Sequence, residues 1–316
     1  MAEKTVIEVK NLVKRYGDLI ALDHLNLEIK EGEIFGLLGP NGSGKSTSIN
    51  CILSLLKYDK GEIKVFGKTM KSNSYDLKRD IGIIFQNVAV MEELTVYENI
   101  DYFCGLYIKN KDERKKLVEE AIVFCGLEDF VKFNPAKLSG GLLRRLNIAC
   151  GIAHKPKLVI LDEPTVAVDP QSRNNILEGI KRLNEQGTTI IYTSHYMEEV
   201  EQICTNIAIM DHGKIIATGT KEELKSMIGT GEKITVEIFG NNEEIVEELK
   251  KLKGIRQISS NGNYVEIKSE RGKNNLANIL HFLEERKITY GKIFSELPTL
   301  NDVFLEITGK ELRDNG

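Results

Sequence analysis

The stretch "GPNGSGKST", residues 39–47, stands between two runs of different periodicity. The apolar "EIFGLLG" before it reads as a buried strand, and "TSINCILSLL" after it has helical apolar spacing. The stretch fits G-x-x-x-x-G-K-[ST] through Gly39, Gly44, Lys45 and Ser46, and a strand–loop–helix setting is the context that gives the match meaning. Its glycines let backbone N–H groups curl around a phosphate. Lys45 reaches β- and γ-phosphates, and the Ser46 hydroxyl takes a coordination position on Mg²⁺.

The rest of the chain agrees with that beginning. "TVIEVKNLVKRYG" and "ALDHLNLEIKEG" read as strands, as does "GEIKVFG". "IGIIFQ", "KLVILDEP" and "TTIIYTSH" are short apolar runs bounded by polar residues, and helical patterns lie between them. That alternation predicts an α/β core with a mostly parallel sheet. Residues 88 to 137 hold only helical patterns, "TVYENIDYFCGLY", "KDERKKLVEEAIVFCGL" and "EDFVKF", and read as a helical insertion. "IAIMDHGKIIATG" reads as a hairpin turning at Asp211-His212-Gly213. Gly229 and Gly231 suggest a boundary. Beyond it the order β-α-β-β-α-β is the ferredoxin-like split βαβ pattern, followed by a last helix in "PTLNDVFLEITGKEL". The expected domains are 1–228, with a helical subdomain at about 88–155, and 232–316 as a small α+β domain.

"KLVILDEP" supplies the other half of a phosphate site. Its strand delivers Asp162, where a carboxylate can hold Mg²⁺. Glu163 beside it is placed to orient or deprotonate water. Alone, each is an ordinary strand-end acid; the glycine loop makes them a pair with a purpose.

In sequence order, five further signals accompany these two: Tyr16 in "VKRYG", Gln86 in "IIFQN", Ser139-Gly140-Gly141 in "LSGGLLRRLNIA", Asp169 in "VAVDP" and His195 in "YTSHYMEE". As a set they resemble the ATP-binding subunits of ABC transporters, over residues 1 to about 225. The resemblance implies a P-loop NTPase fold: a RecA-like core, an antiparallel β subdomain and a helical insertion. It further implies that ATP lies on Gly39, Pro40, Asn41, Gly42, Ser43, Gly44, Lys45, Ser46 and Thr47, with Tyr16 against the adenine. Mg²⁺ is then held by Ser46, Asp162 and Gln86, Glu163 polarises the attacking water, and His195 contacts the γ-phosphate. Ser139, Gly140, Gly141 and Asp169 would close over the ATP of a second copy, so a homodimer or heterodimer of ATPase subunits is implied. "HYMEEVE", "GKIIATG" and the C-terminal tail resemble the ABC-2-type export group. Its membrane permease would be a separate chain, received by a groove around "VMEELTVYENI".

Two departures stand out. Leu142 replaces a glutamine common in the family, and Ala167 stands where nearer relatives commonly show glycine. Arg145 fits the arginine usually found three residues after that glutamine. Leu142, Leu146, Ala149 and Ala153 recur at helical spacing, so Leu142 reads as part of a packing stripe.

Other classes fit less well. A net charge of −4 argues against nucleic acid as partner. A soluble relative acting on ribosomes would usually carry two nucleotide modules, and chromosome-type relatives place a long coiled coil before the signature; this chain has one module and no heptads. A nucleotide sensor would have a broken catalytic position, and Glu163 and His195 are intact. Cys51, Cys104, Cys125, Cys150 and Cys204 lack metal spacing and read as core thiols. The N-terminus lacks an apolar h-region, and no apolar run reaches the roughly 18 to 20 residues a spanning helix needs. The expected place is cytoplasmic, on the inner membrane face through the permease.

Overall fold

The computed structural model describes residues 4–239, 242–271 and 275–309. The chain forms two compact units that part between Thr220 and Lys221.

In the first unit, β1 (Thr5–Tyr16) and β2 (Leu19–Lys30) form a long hairpin, and β3 (Ile34–Leu38) leads into helix α1 (Lys45–Ile52). Next come β4 (Lys60–Val65), β5 (Lys68–Thr69), the single turn α2 (Tyr75–Lys78) and β6 (Ile81–Ile84). The helices α3 (Val96–Gly105), α4 (Lys111–Cys125) and α5 (Gly140–Ile152) follow without an intervening strand. The chain then alternates through β7 (Leu158–Asp162), α6 (Pro170–Glu185), β8 (Thr189–Ser194) and α7 (Met197–Ile203), and closes with the hairpin β9 (Asn206–Asp211) and β10 (Lys214–Gly219).

Two sheets result. The antiparallel one has the order β2-β1-β4-β5; the other runs β10-β9-β3-β8-β7-β6. In the second sheet β9, β3, β8, β7 and β6 are parallel and only β10 turns back. Every residue of β3, β7 and β8 is buried. That is why "IFGLL", "LVILD" and "TIIYTS" lack the polar alternation of a half-exposed strand: both faces are covered. Leu12, Leu22, Phe35, Ile49, Ile63 and Ile160 belong to one core that joins the two sheets through α1.

The pairing registers place the functional loops. Leu38 lies opposite Ser194, Asp162 opposite Thr193, and Ile84 opposite Leu161. The C-terminal ends of β3, β8, β7 and β6 are therefore level to within a residue or two. The loops that leave them open on one edge, where open α/β sheets bind ligands.

The helical insertion is present, with a difference. "EDFVKF" holds a single 3₁₀ turn, Glu128–Phe130, not an α-helix. It lies between Gly126, the left-handed cap of α4, and Asn134-Pro135. Too few residues remain there to nucleate a helix, and Pro135 disfavours helical backbone at Asn134. The stretch "VMEELTVYENI" is organised by Asn99, which is fully buried. Its amide donates to the carbonyls of Met91, Leu94 and Thr95, and its Oδ1 accepts from Met91 N at 2.7 Å. A capping box between Thr95 and Glu98 starts α3, a device that contributes about 1 kcal/mol.

The second unit opens with α8 (Lys221–Met227) and continues as β11 (Thr230–Ile238), α9 (Asn242–Leu249), β12 (Ile255–Asn261), β13 (Tyr264–Glu270), α10 (Asn275–Glu285), β14 (Tyr290–Glu296) and α11 (Leu300–Thr308). Its sheet is wholly antiparallel in the order β12-β13-β11-β14, the split βαβ arrangement. Alternate residues Ile234, Val236, Ile238, Val265 and Ile267 share a core with Leu249 of α9 and Ile279 and Leu283 of α10. Gly229 and Gly231 lie inside this unit. A Cβ on Gly231 would stand 2.4 Å from Arg271 Cα, so the glycine serves close backbone approach. Glu306 of α11 accepts from Gly229 N, Thr230 Oγ1 and Arg256 Nη1 and fastens the last helix.

All five cysteines are buried and unpaired. Burial pushes Cys51 and Cys104 up to about 11 and Cys125 up to about 12, so these thiols are inert packing groups. Among the described residues, no helix is long and apolar enough to cross a membrane.

Candidate nucleotide site

Between β3 and α1 the chain makes a tight loop. Gly44 caps α1 with φ of +108°, a conformation that strains any residue with a side chain. A Cβ on Gly39 would meet Met210 O at 2.4 Å and Ser43 Oγ at 2.7 Å. Gly39 is therefore a glycine of close backbone approach, to Met210 O and to the loop's own Ser43. Ser43 is buried, and its Oγ has no hydrogen-bond partner among the described residues, an acceptor-seeking hydroxyl inside the cradle. Ser46 is exposed and Thr47 half-buried at the start of the helix.

Lys45 is buried beneath this loop. Its Nζ donates to Gly39 O at 2.8 Å and Pro40 O at 3.2 Å, and lies 3.3 Å from Glu163 Oε1. Burial lowers the Lys45 pKa, while the Glu163 and Asp162 carboxylates oppose the shift. His195, at the end of β8, brings Nδ1 to 3.4 Å from the same Glu163 oxygen. One buried carboxylate oxygen therefore stands between a lysine and a histidine, beside the glycine loop.

Thr193 holds the two acids in place. Its hydroxyl donates to Asp162 Oδ1 at 2.6 Å and accepts from Glu163 N at 3.0 Å. Glu163 has φ of +48°. A non-glycine residue in that region costs of order 1–3 kcal/mol, and such strain clusters at functional sites. The Thr193 contacts hold Glu163 in this conformation.

Other predicted residues lie outside this centre. Tyr16 is half-exposed at the hairpin tip, opposite Leu19, with Lys14 Nζ 4.9 Å from its ring centre. The side chain of Gln86 is exposed, and the loop is held through backbone. Arg144, buried on α5, donates to Phe85 O at 3.0 Å and to Gln86 O at 2.6 Å. Arg145, the residue picked out by sequence, instead donates to Cys125 O and Gly126 O, both at 3.2 Å. The arginine that ties α5 to the loop after β6 is therefore Arg144.

The second cradle is built on α5. Ser139 caps the helix by accepting from Leu142 N at 3.3 Å, and Gly140 is exposed. Gly141 is packed so tightly on the start of α6 that a Cβ would come within 2.2 Å of Ser172 Oγ and 3.4 Å of Asp169 Oδ2. Asp169 caps α6 by accepting from Ser172 N at 2.9 Å, and the Ser172 contacts hold its carboxyl below the usual range. Among the described residues, the hydrogen bonds of Ser139 and Asp169 stay at their own helix starts and do not reach residues 39–47. Leu146, Ala149 and Ala153 are buried and Leu142 half-buried, so Leu142 sits at the rim of the stripe.

Ala167 has φ of +59°, which gives the departure from glycine a physical content. Left-handed backbone costs an L-residue about 1–2 kcal/mol, against about 0.4–1 kcal/mol of extra unfolded-chain entropy for glycine. Ala167→Gly should therefore raise the urea midpoint of the first unit with the m-value unchanged; a lower midpoint would contradict this reading.

Sequence reasoning did not find Thr193, Arg144 or Glu199. Thr193 carried a signal: it is a hydroxyl residue two positions before His195, at the end of an apolar run that reads as a buried strand. Glu199 carried another, a carboxylate on the helix face it shares with Val200 and Ile203, which are buried.

No group of three or more His, Cys, Asp or Glu side chains gathers in ligating geometry among the described residues. A nucleotide-bound Mg²⁺ does not need one, since it uses one or two protein oxygens together with phosphates. Ser46 and Asp162 offer such oxygens beside the loop.

Comparisons with known proteins identify the family. The profile described as "ABC transporter" matches residues 22–166, and that of the "ATP-binding protein DrrA1-3-like, C-terminal domain" matches residues 219–308. The chain is 38% identical over 311 residues to the linearmycin resistance ATP-binding protein LnrL of Bacillus subtilis, covering 98% of this chain and all of that one. It is 32% identical over 310 residues to a daunorubicin resistance ATP-binding protein of Streptomyces coeruleorubidus, covering 98% of each. A solved dimeric ATP-binding cassette in a post-hydrolysis state with ADP and Pi superposes with a TM-score of 0.62 at 30% identity, over 68% of this chain and 98% of that one. The fold and site define a P-loop ATPase. Within that class, the chain belongs to the ATP-binding proteins of ABC transporters.

Proposed function

We propose that the chain hydrolyses ATP as one of two ATPase subunits that drive a separate membrane permease of the exporting kind. The observation that carries the hydrolytic part is the Glu163 carboxylate, held between Lys45 and His195 beside the glycine loop. The exporting part is supported by end-to-end similarity to two resistance ATP-binding proteins, including the C-terminal unit.

In this reading the amides of residues 39–47 and Lys45 receive the phosphates, and Tyr16 lies against the adenine. Glu163 accepts a proton from the water that attacks the γ-phosphorus, while the bond to the bridging β–γ oxygen breaks. His195 supports the charge that develops on the γ-phosphate oxygens. Ser46, Asp162 and Gln86 would hold Mg²⁺, whose chemistry is to neutralise phosphate charge. Ser139, Gly140, Gly141 and Asp169 serve the nucleotide bound by the partner subunit. The first unit, to Thr220, acts as the ATP-binding domain, with about 88–155 its helical subdomain, and the second unit, from Lys221, as the accessory domain. The loop built around Asn99 is the surface offered to the permease, which keeps the subunit on the cytoplasmic membrane face.

Affinity purification of the tagged chain from native membranes should recover a multispanning protein in stoichiometric amount. Consistent recovery of ribosomes in its place would support the alternative, a soluble ATPase of the same family.

A further inference from the structure

Glu199 is a buried carboxylate, 3% exposed, that the hydrolytic mechanism above leaves unused. Three hydroxyls donate to its Oε2: Tyr192 at 2.6 Å, Thr165 at 2.8 Å and Ser194 at 3.1 Å. Arg173 Nε pairs with Oε1 at 3.2 Å. Burial and the neighbouring carboxylate hold the Tyr192 phenol well above its usual pKa, so it stays protonated and donates.

These partners come from three separate places. Tyr192 and Ser194 are among the last three residues of β8, which ends immediately before His195. Thr165 stands two residues after Glu163. Arg173 lies on α6, in the first turn after its Asp169 cap. The contacts continue outward: Ser194 Oγ accepts from Tyr196 N at 2.9 Å. The Tyr196 ring lies 4.1 Å from the His195 ring on one side and 4.9 Å from the Arg173 guanidinium carbon. Isolated buried carboxylates are costly; here Oε2 takes three hydrogen bonds, while Oε1 has the Arg173 charge beside it without a hydrogen bond.

We propose that Glu199 is a positioning residue for hydrolysis, fixing the strand end that carries His195 to the Thr165 segment and to α6, and so setting the aim of the His195 ring. Tyr196, gripped between Ser194 and Arg173, transmits that alignment to the imidazole. The inference rests on the role given to His195, and the test separates the two.

Glu199→Gln keeps the side-chain volume and one accepting oxygen but removes the charge that pairs with Arg173. In the full-length dimer it should lower kcat about 10- to 100-fold, as a small misplacement near reacting atoms does, with KM and ATP affinity within about twofold of wild type and the circular-dichroism melt preserved. In a His195→Ala background the same change should cost nothing further, because residues acting through one another are non-additive. A tenfold loss in both backgrounds would mean that Glu199 acts without His195 and would overturn the proposal, as would wild-type kcat in Glu199→Gln alone. Undiminished hydrolysis in His195→Ala by itself would overturn the parent role and the link with it. If Glu199→Gln does not fold, Arg173→Met on the half-exposed face of α6 tests the same junction. The kcat loss should again vanish in the His195→Ala background, and wild-type turnover in folded Arg173→Met would overturn the link.

Discussion

Glu163→Gln is expected to reduce ATP hydrolysis by at least about 100-fold, the scale of a lost general base, while ATP binding survives and ATP traps a stable dimer. The change alters almost nothing but the carboxylate. Glutamine has the same length, and the backbone N–H of residue 163 keeps both bonds to Thr193, to its hydroxyl and its carbonyl. An amide oxygen is far too weak a base to take a proton from water at neutral pH. Binding follows a different logic. The carboxylate that is neutralised lies 3.3 Å from Lys45 Nζ, the lysine of the glycine loop. Removing that negative charge takes away a repulsion with the phosphates and frees Lys45 for them. Catalysis and affinity should therefore move in opposite directions. Phosphate release, equilibrium nucleotide binding and size-exclusion chromatography with ATP read the three quantities. Normal turnover would remove Glu163 from its role, and loss of ATP binding in a folded variant would mean that the carboxylate is structural.

The fold was largely legible because its central strands are covered on both faces. "IFGLL", "LVILD" and "TIIYTS" could be recognised from their continuous apolar character, and the glycine loop located the edge that matters. The glycine loop and the acids at the end of "KLVILDEP" could be paired by their chemistry, whereas the place of His195 beside them was implied by family likeness. The physical cause of that place is strand register, Leu38 against Ser194 and Asp162 against Thr193, which pairs residues more than 30 positions apart. Short-range pattern does not carry that information. Arg144 and Arg145 show the same limit at the smallest scale. Adjacent residues on a helix point about 100° apart, and only the packing of α5 decides that Arg144 meets the Gln86 loop while Arg145 meets the end of α4. Backbone sign was hidden as well. Ala167 could be noted as standing where glycine is common, yet its φ of +59° is a property of the turn between β7 and α6. The Glu199 junction draws hydroxyls from β8 and the Thr165 segment, so no local motif announces it.

Ser139→Arg should leave ATP binding by a single subunit within about twofold of wild type while abolishing dimer-dependent hydrolysis, since removing a single preorganised donor already costs about 100-fold or more. The reason is the division of the site. Ser139 and Gly140 are exposed, and the tight packing of Gly141 is against Ser172 and Asp169 of its own chain. A cradle that serves its own glycine loop would be bonded towards it; among the described residues, Ser139 bonds only within α5 and stays exposed. The substitution costs the cap of α5, about 1 kcal/mol, in a helix whose Leu146, Ala149 and Ile152 are buried, so the fold should persist. What it adds is bulk and a long side chain where a second subunit's phosphates would approach. Equal loss of binding and hydrolysis would contradict the trans arrangement. A mixing experiment decides more sharply. Lys45→Ala disables the glycine loop and Ser139→Arg disables the second cradle, so each variant alone is inactive. If sites are shared between chains, a heterodimer of the two holds one doubly disabled site and one wholly intact site, and mixing should restore part of the hydrolysis. If each chain's cradle served its own loop, every site in that heterodimer would carry one lesion and no activity would return.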